Sequence, residues 1–207
     1  MIATILSSAC RLISGATVEW RCEPYSDVQR IYFANHSSHL DFVVIWSALP
    51  AAIRRRARPV AGRDYWERDP VRRHLARRVF RAVLIERNNT GAESAAIAAR
   101  ASVEQMAREM GSRDSLIVFP EGTRSLTGEI GPFKSGLYHL SRARPDADLV
   151  PVHLDNLNRI LPKGEAFPVP MLSRVTFGPA LHACANERKE EFLARARTAL
   201  LHSGHDS

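Results

Sequence analysis

Two spacings of apolar residues alternate along this chain. Short runs in which apolar, β-branched and aromatic side chains dominate read as β-strands: Arg30–Ala34, Ala82–Ile85, Ser115–Phe119, Leu149–Leu154 and Arg174–Phe177, with a weaker one around Val60. Longer stretches with apolar residues three and four apart read as helices. Ala92–Met110 is the clearest. Thr90 precedes it as an N-cap, Glu93 completes a capping box, and Gly111 follows as a stop. Phe42–Leu49 reads as a short apolar helix closed by Pro50, Pro70–Phe80 and Glu187–Leu201 as amphipathic helices, and Pro162–Pro170 as a proline-rich loop. Strands alternating with helices predict an α/β domain, and no internal repeat or low-complexity linker divides it.

The first residues carry a stripe of their own. Ile2, Ile5, Leu6, Ala9, Leu12, Ile13 and Ala16 recur at helical spacing, so residues 1–16 form an amphipathic helix that lies in a membrane interface or packs on the domain's own core. Arg11 interrupts the stripe and no positive segment precedes it, which argues against a secretory signal. No segment approaches the ~18–20 uncharged apolar residues of a membrane-spanning helix.

Composition narrows the class. The 207 residues are 45% hydrophobic and 25% charged, enough for one domain with a sizeable core. The net charge of +7 favours anionic partners. It is clustered in two blocks, Arg54, Arg55, Arg56 and Arg58, then Arg72, Arg73, Arg77, Arg78 and Arg81. Neither zinc-finger spacing nor an RNP-like aromatic motif accompanies them, so nucleic acid is not the expected partner. Cys10, Cys22 and Cys184 are odd in number with no C-x-x-C pair, which predicts a reducing compartment without a disulfide framework or structural zinc.

The candidate chemistry lies in five clusters. Asn35-His36-Ser37-Ser38-His39-Leu40-Asp41 falls between a strand and an apolar helix, where catalytic groups are often displayed. A loop there can fold the Asp41 carboxylate back on the His36 imidazole, fixing its tautomer and freeing the other nitrogen as a base. Phe119-Pro120-Glu121-Gly122-Thr123-Arg124-Ser125 follows a strand; Gly122 permits close backbone approach, and Arg124 offers a planar fork to a phosphate. Lys134 sits in Gly131-Pro132-Phe133-Lys134-Ser135-Gly136 as a further point charge. Val83-Leu84-Ile85-Glu86-Arg87 ends a strand in a charged pair, and Val150-Pro151-Val152 is an apolar strand with a proline.

In order and spacing these clusters resemble the motifs of the glycerolipid acyltransferases, whose best-known members are the lysophosphatidate acyltransferases. The family pattern is N-H-x-x-x-x-D, an apolar strand ending in Arg, F-P-E-G-T-R-S and an apolar-Pro-apolar strand. Asn35 to Asp41 and Phe119 to Ser125 match it closely, and so does the F-K-x-G of Phe133 to Gly136. The resemblance covers roughly residues 17 to 180. Arg81 stands where the family usually has Gly, and Leu84 where it has Phe or Pro, while Arg87 is kept.

The resemblance implies an acyltransferase domain over residues 17–207, with a mixed β-sheet flanked by helices. It implies transfer of a fatty acyl group from acyl-CoA or acyl-ACP to 1-acylglycerol 3-phosphate, giving phosphatidate. Another lysophospholipid or glycerol 3-phosphate is an alternative acceptor. His36 and Asp41 would be catalytic. Arg87, Glu121, Gly122, Thr123, Arg124 and Lys134 would bind the acceptor and its phosphate, with Glu121 organising the arginine or the acceptor glycerol. Phe42 to Trp46 are candidates to line an acyl-chain groove. No cofactor and no metal are implied. The expected location is the cytoplasmic face of the cell membrane, on an anionic surface. Two rival readings are a metal site built from His36, His39 and Asp41 with His153 and Asp155, and a non-catalytic lipid-binding protein of the same fold.

Overall fold

A computed structural model describes residues 6, 8, 10, 15–38, 41–86, 92–125, 127–155, 173–184 and 186–204. In chain order they form β1 (Thr17–Trp20), β2 (Arg30–Ala34), α1 (Asp41–Ala48), α2 (Ala51–Arg54), β3 (Ala57–Gly62), α3 (Arg63–Trp66) and α4 (Pro70–His74). A π-helical turn, Leu75–Val79, continues α4. Then come β4 (Val83–Ile85), α5 (Ala92–Met110), β5 (Ser115–Val118), α6 (Gly136–Ala143), β6 (Asp148–Asp155), β7 (Arg174–Phe177) and α7 (Lys189–Gly204).

The strands make one mixed sheet in the order β1-β7-β6-β2-β5-β3-β4. From β6 to β4 all neighbours are parallel, while β7 runs antiparallel to β6 and carries β1 parallel beside it. The carboxyl ends of β2, β3, β4, β5 and β6 therefore emerge along one edge, where an open parallel sheet presents its ligand-binding loops.

Alternation along the strands feeds two cores. Tyr32 and Ala34 of β2 face Phe42, Ile45 and Trp46 of α1, with Phe80 edge-on to Phe42 and Trp46 at 5.0 and 5.2 Å. Ile31 and Phe33 face the opposite way, into a core closed by Val103 and Met106 of α5, Leu140 of α6, and Phe192 and Leu200 of α7. Phe42, Val44, Ile45 and Trp46 are buried and Val43 half-buried, so these residues build the core and not the acyl-chain groove considered for them.

Several boundaries differ from expectation for local reasons. The Pro70–Phe80 helix splits into α4 and the π-helical turn, then ends at Arg81, whose φ of 51° is a left-handed value. Asp69 caps it, accepting from the Arg72 amide at 2.9 Å. β1, α2, α3 and α6 were not expected; each is short, with too few turns or alternations to register as a period. Gly111 stops α5 with a φ of 53°, as expected. The capping box of Thr90, the Pro162–Pro170 loop and most of the N-terminal stripe lie outside the described residues. Residues 6, 8 and 10 are helical there, and Leu6 and Cys10 pack against the first core. Cys10, Cys22 and Cys184 are not joined in a disulfide. Among the described residues no helix is long and apolar enough to cross a membrane.

Candidate active site

The site is assembled at the carboxyl edge of the sheet, where the chain leaves β2 and β5. Asn35 fixes the exit from β2. Its Nδ2 donates to the Leu154 carbonyl at 2.9 Å, and its Oδ1 accepts from the Leu154 amide at 2.8 Å, so a buried side chain extends the β2–β6 ladder by one rung. The next residue, His36, is thereby held at the lip.

Asp41 opens α1, where the positive end of the helix favours a carboxylate, and its side chain is fully buried. Its Oδ2 accepts from the backbone amides of Ser37 at 2.6 Å and Ser38 at 2.8 Å, and lies 2.8 Å from His36 Nδ1. The loop wraps around this oxygen, which is how the sequence bridges five positions without a regular turn of helix. An oxygen already receiving two amide protons acts as an acceptor toward Nδ1. The proton then sits on Nδ1, and Nε2 keeps its lone pair. The imidazole stacks on Phe119, with centroids 4.2 Å apart and planes 20° from parallel, while 16% of the side chain remains exposed. A base with one nitrogen anchored, one face covered and one edge open is positioned to take a proton from a bound hydroxyl.

The 119–125 loop is stitched to His36 through the backbone. The Ser125 amide donates to the His36 carbonyl at 2.7 Å, and the His36 amide donates to Glu121 Oε1 at 2.9 Å. Glu121 Oε2 accepts from the Gly131 amide at 2.9 Å, and the residue is buried. Both oxygens of Glu121 thus hold backbone: it braces the histidine loop against the 131–136 segment. Of the two parts expected for Glu121, organising the arginine or the acceptor glycerol, no ion pair with Arg124 is formed among the described residues.

Gly122 has a φ of 70°, and a Cβ there would lie 2.8 Å from Lys134 Nζ. The lysine stem lies across the glycine backbone, and the Lys134 amide donates to the Pro120 carbonyl at 2.8 Å. Arg124 is half-buried and Lys134 exposed; neither side chain has a hydrogen bond or ion pair among the described residues. Two uncommitted cations on a loop bonded to the His36 backbone suit an anionic ligand. Thr123 is exposed, and Ser125 Oγ is used within its own turn, accepting from the Gly128 amide at 3.1 Å. Arg87 and His39 lie outside the described residues. Among those described, no group of three His, Cys, Asp or Glu side chains is disposed to hold a metal ion. The amides of Ser37, Ser38 and Gly131 were not legible in the sequence, because backbone donors carry no residue-type signal.

Comparison with known proteins points one way. The sequence model of the family described as Acyltransferase matches residues 21–155. A coconut (Cocos nucifera) protein named 1-acyl-sn-glycerol-3-phosphate acyltransferase is 33% identical over 124 residues, 56% of this chain and 34% of its own length. A Limnanthes alba protein of the same name is 29% identical over 164 residues, 76% of this chain and 52% of its own. This chain therefore spans about half or less of those relatives. A crystal structure described as the 1-acyl-sn-glycerophosphate (LPA) acyltransferase from Thermotoga maritima superposes with a TM-score of 0.72 at 19% identity, covering 100% of this chain and 80% of that one.

Proposed function

This chain belongs to the acyltransferase family, and from that premise we propose that it moves a fatty acyl group from a thioester, acyl-CoA or acyl-ACP, to the free hydroxyl of 1-acylglycerol 3-phosphate. The observation that carries the proposal is the His36–Asp41 pair, 2.8 Å apart with the carboxylate fully buried, beside a loop bearing two uncommitted cations.

The acceptor phosphate is held by Arg124 and Lys134, with Arg87 as a third cation, which brings the free hydroxyl to His36. Such positioning is a large part of the catalysis. Nε2 takes the hydroxyl proton as the oxygen attacks the thioester carbonyl. Asp41 stabilises the imidazolium that forms. The developing oxyanion needs preorganised donors, which we assign to backbone amides of the 121–124 turn other than that of Gly122, which donates to the Phe119 carbonyl at 3.0 Å; one such donor is worth ~2.7–4 kcal/mol. The carbon–sulfur bond then breaks, the new ester forms, and the thiolate takes the proton back from His36. No acyl-enzyme and no metal are required. With a lipid acceptor the enzyme works on a membrane surface, at the cytoplasmic face where thioester donors are made.

The test is an acceptor panel. Purified protein is incubated with oleoyl-CoA, or the matching acyl carrier protein, and with lysophosphatidate, glycerol 3-phosphate or a neutral lysophospholipid, and products are read by mass spectrometry. Phosphatidate from lysophosphatidate is expected. A different acylated product keeps the reaction and replaces the acceptor. No acylated product from any pair, with the protein folded, leaves the lipid-binding reading in its place.

A further inference from the structure

Residues 54–81, from the end of α2 to the turn before β4, contain eleven arginines and three carboxylates, a net +8 against +7 for the whole chain, so everything else together is −1. Part of this charge is already matched. Arg58 and Arg81 meet Glu109 and Asp114 at 2.7 Å. Arg63 and Arg77 meet Glu67, and Arg72 pairs with Asp69 at 3.0 Å while lying over the Tyr65 ring at 4.4 Å. Arg68, Arg73 and Arg78 are exposed and have no ion pair or side-chain hydrogen bond among the described residues.

Arg73 and Arg78 lie on the outer side of α4 and its π-helical turn, and Arg68 just precedes that helix. α4 and the π-helical turn direct Leu75, Ala76 and Val79 inward. Val71, Arg73, His74, Arg77 and Arg78 form the outer side at spacings of three and four, and Val71 is 68% exposed. Half-buried Tyr65 and Trp66 belong to α3, which follows directly on the exit from β3. Guanidinium groups around a bare aliphatic side chain, with aromatic rings at the border, match a phospholipid interface. Arginine engages phosphate bidentately, apolar side chains enter the acyl boundary, and amphipathic rings settle at headgroup level. The crossover also leaves the sheet at Gly62, on the edge that carries His36, so a bilayer docked there adjoins the site.

We propose that the outer side of α4 and the following π-helical turn docks on an anionic phospholipid surface, with Arg68, Arg73 and Arg78 at headgroup phosphates and Val71 in the interface. The acyl-transfer reading supplies the purpose of this contact, but its test needs no turnover.

Flotation is measured with vesicles of phosphatidylcholine alone and of equal parts phosphatidylcholine and phosphatidylglycerol. The wild type floats with the mixed vesicles and stays behind with the neutral ones. Replacing Arg68, Arg73 and Arg78 with Gln weakens partition by roughly a hundredfold, about fivefold per arginine, and Val71→Asn weakens it further. The same charge removed from the other face of the sheet, by changing Arg100, Arg108 and Arg188 to Gln, leaves flotation unchanged. Equal flotation on both vesicle types, an unaffected Arg68/Arg73/Arg78 variant, or an equal loss in the α5-side control overturns the proposal. So does binding of acyl carrier protein that depends on these arginines while no vesicle is bound, which assigns the face to an acidic protein instead. The Arg68/Arg73/Arg78 variant should still acylate a detergent-dispersed acceptor at the wild-type rate, which separates loss of docking from failure of the catalytic reading.

Discussion

Removing the Asp41 carboxylate changes two things at once, because its Oδ2 both orients His36 and holds the Ser37 and Ser38 amides. In Asp41→Asn an amide nitrogen competes for the place of that oxygen, and a donor facing Nδ1 inverts the tautomer. Turnover should fall by roughly 10²–10⁴-fold with the KM for acceptor little changed, as steady-state kinetics would read. A rise in KM at unchanged kcat would contradict the orienting role. Gly122 makes a different demand. An alanine there occupies a left-handed φ, at roughly 1–2 kcal/mol, and its Cβ displaces Lys134 Nζ. Gly122→Ala should lower the melting temperature slightly and raise the acceptor KM more than it lowers kcat; an unaltered KM would remove Lys134 from the phosphate site. His36, Asp41, Arg124 and Lys134 were legible as candidates in the sequence because the signal lies in their side-chain types. The part of Glu121 was not. A carboxylate whose two oxygens accept from the backbone of His36 and Gly131 looks, in sequence, like one that meets the substrate.

At the scale of elements, Arg81 ends the π-helical turn in a conformation suited to glycine, the residue usual at this place in the family. The arginine side chain offsets that strain by pairing with Asp114 at 2.7 Å and donating to the Arg55 carbonyl at 3.1 Å. Arg81→Ala loses the contacts and keeps the strain, whereas Arg81→Gly loses the contacts and releases it. Chemical denaturation should find the glycine variant more stable than the alanine variant by about 1 kcal/mol; the reverse order would refute the account. Just before α7, Glu187 accepts from Arg195 at 2.7 Å on both oxygens, and this pairing holds its carboxyl below the usual carboxylate range. A depressed folded-state value contributes stability that is present above the unfolded-state value and is lost as pH falls through the folded one. Glu187→Gln should thus cost about 1 kcal/mol or less at neutral pH and flatten the acid limb of a melting-temperature profile, with Glu67, lowered chiefly by Arg77, and Glu190, lowered chiefly by its own backbone amide and then by Lys189, keeping their share. An acid limb as steep as wild type would contradict this. The long or strongly apolar elements, α5, β2 and β7, were legible almost to the residue, since their periods extend over enough positions. β1 and α6 were not. β1 is four residues with a half-exposed pattern, and α6 follows the lysine turn with polar residues on most of its surface.

At the scale of the molecule, the sheet order does what the sequence cannot. His36 and Phe119 lie about 80 residues apart, and they stack only because β2 and β5 are adjacent and parallel, so that their exits share one edge. The order of the motifs could be read along the chain. The convergence on a single lip, with α1 on one face and α5, α6 and α7 on the other, is a property of long-range strand pairing. The same topology separates two groups of positive charge: Arg124 and Lys134 in the β5–α6 connection that is bonded to the His36 backbone, and the arginines of α4 and its π-helical turn on an outer face. The central claim is that His36 is the base for acyl transfer to a phosphate-bearing acceptor. It is tested most directly by comparing wild type and His36→Ala, matched for melting temperature, in transfer from oleoyl-CoA to lysophosphatidate. Phosphatidate formed by the wild type and reduced by about 10²–10⁴-fold or more in the variant is the predicted result; phosphatidate formed at the same rate by both would contradict the account.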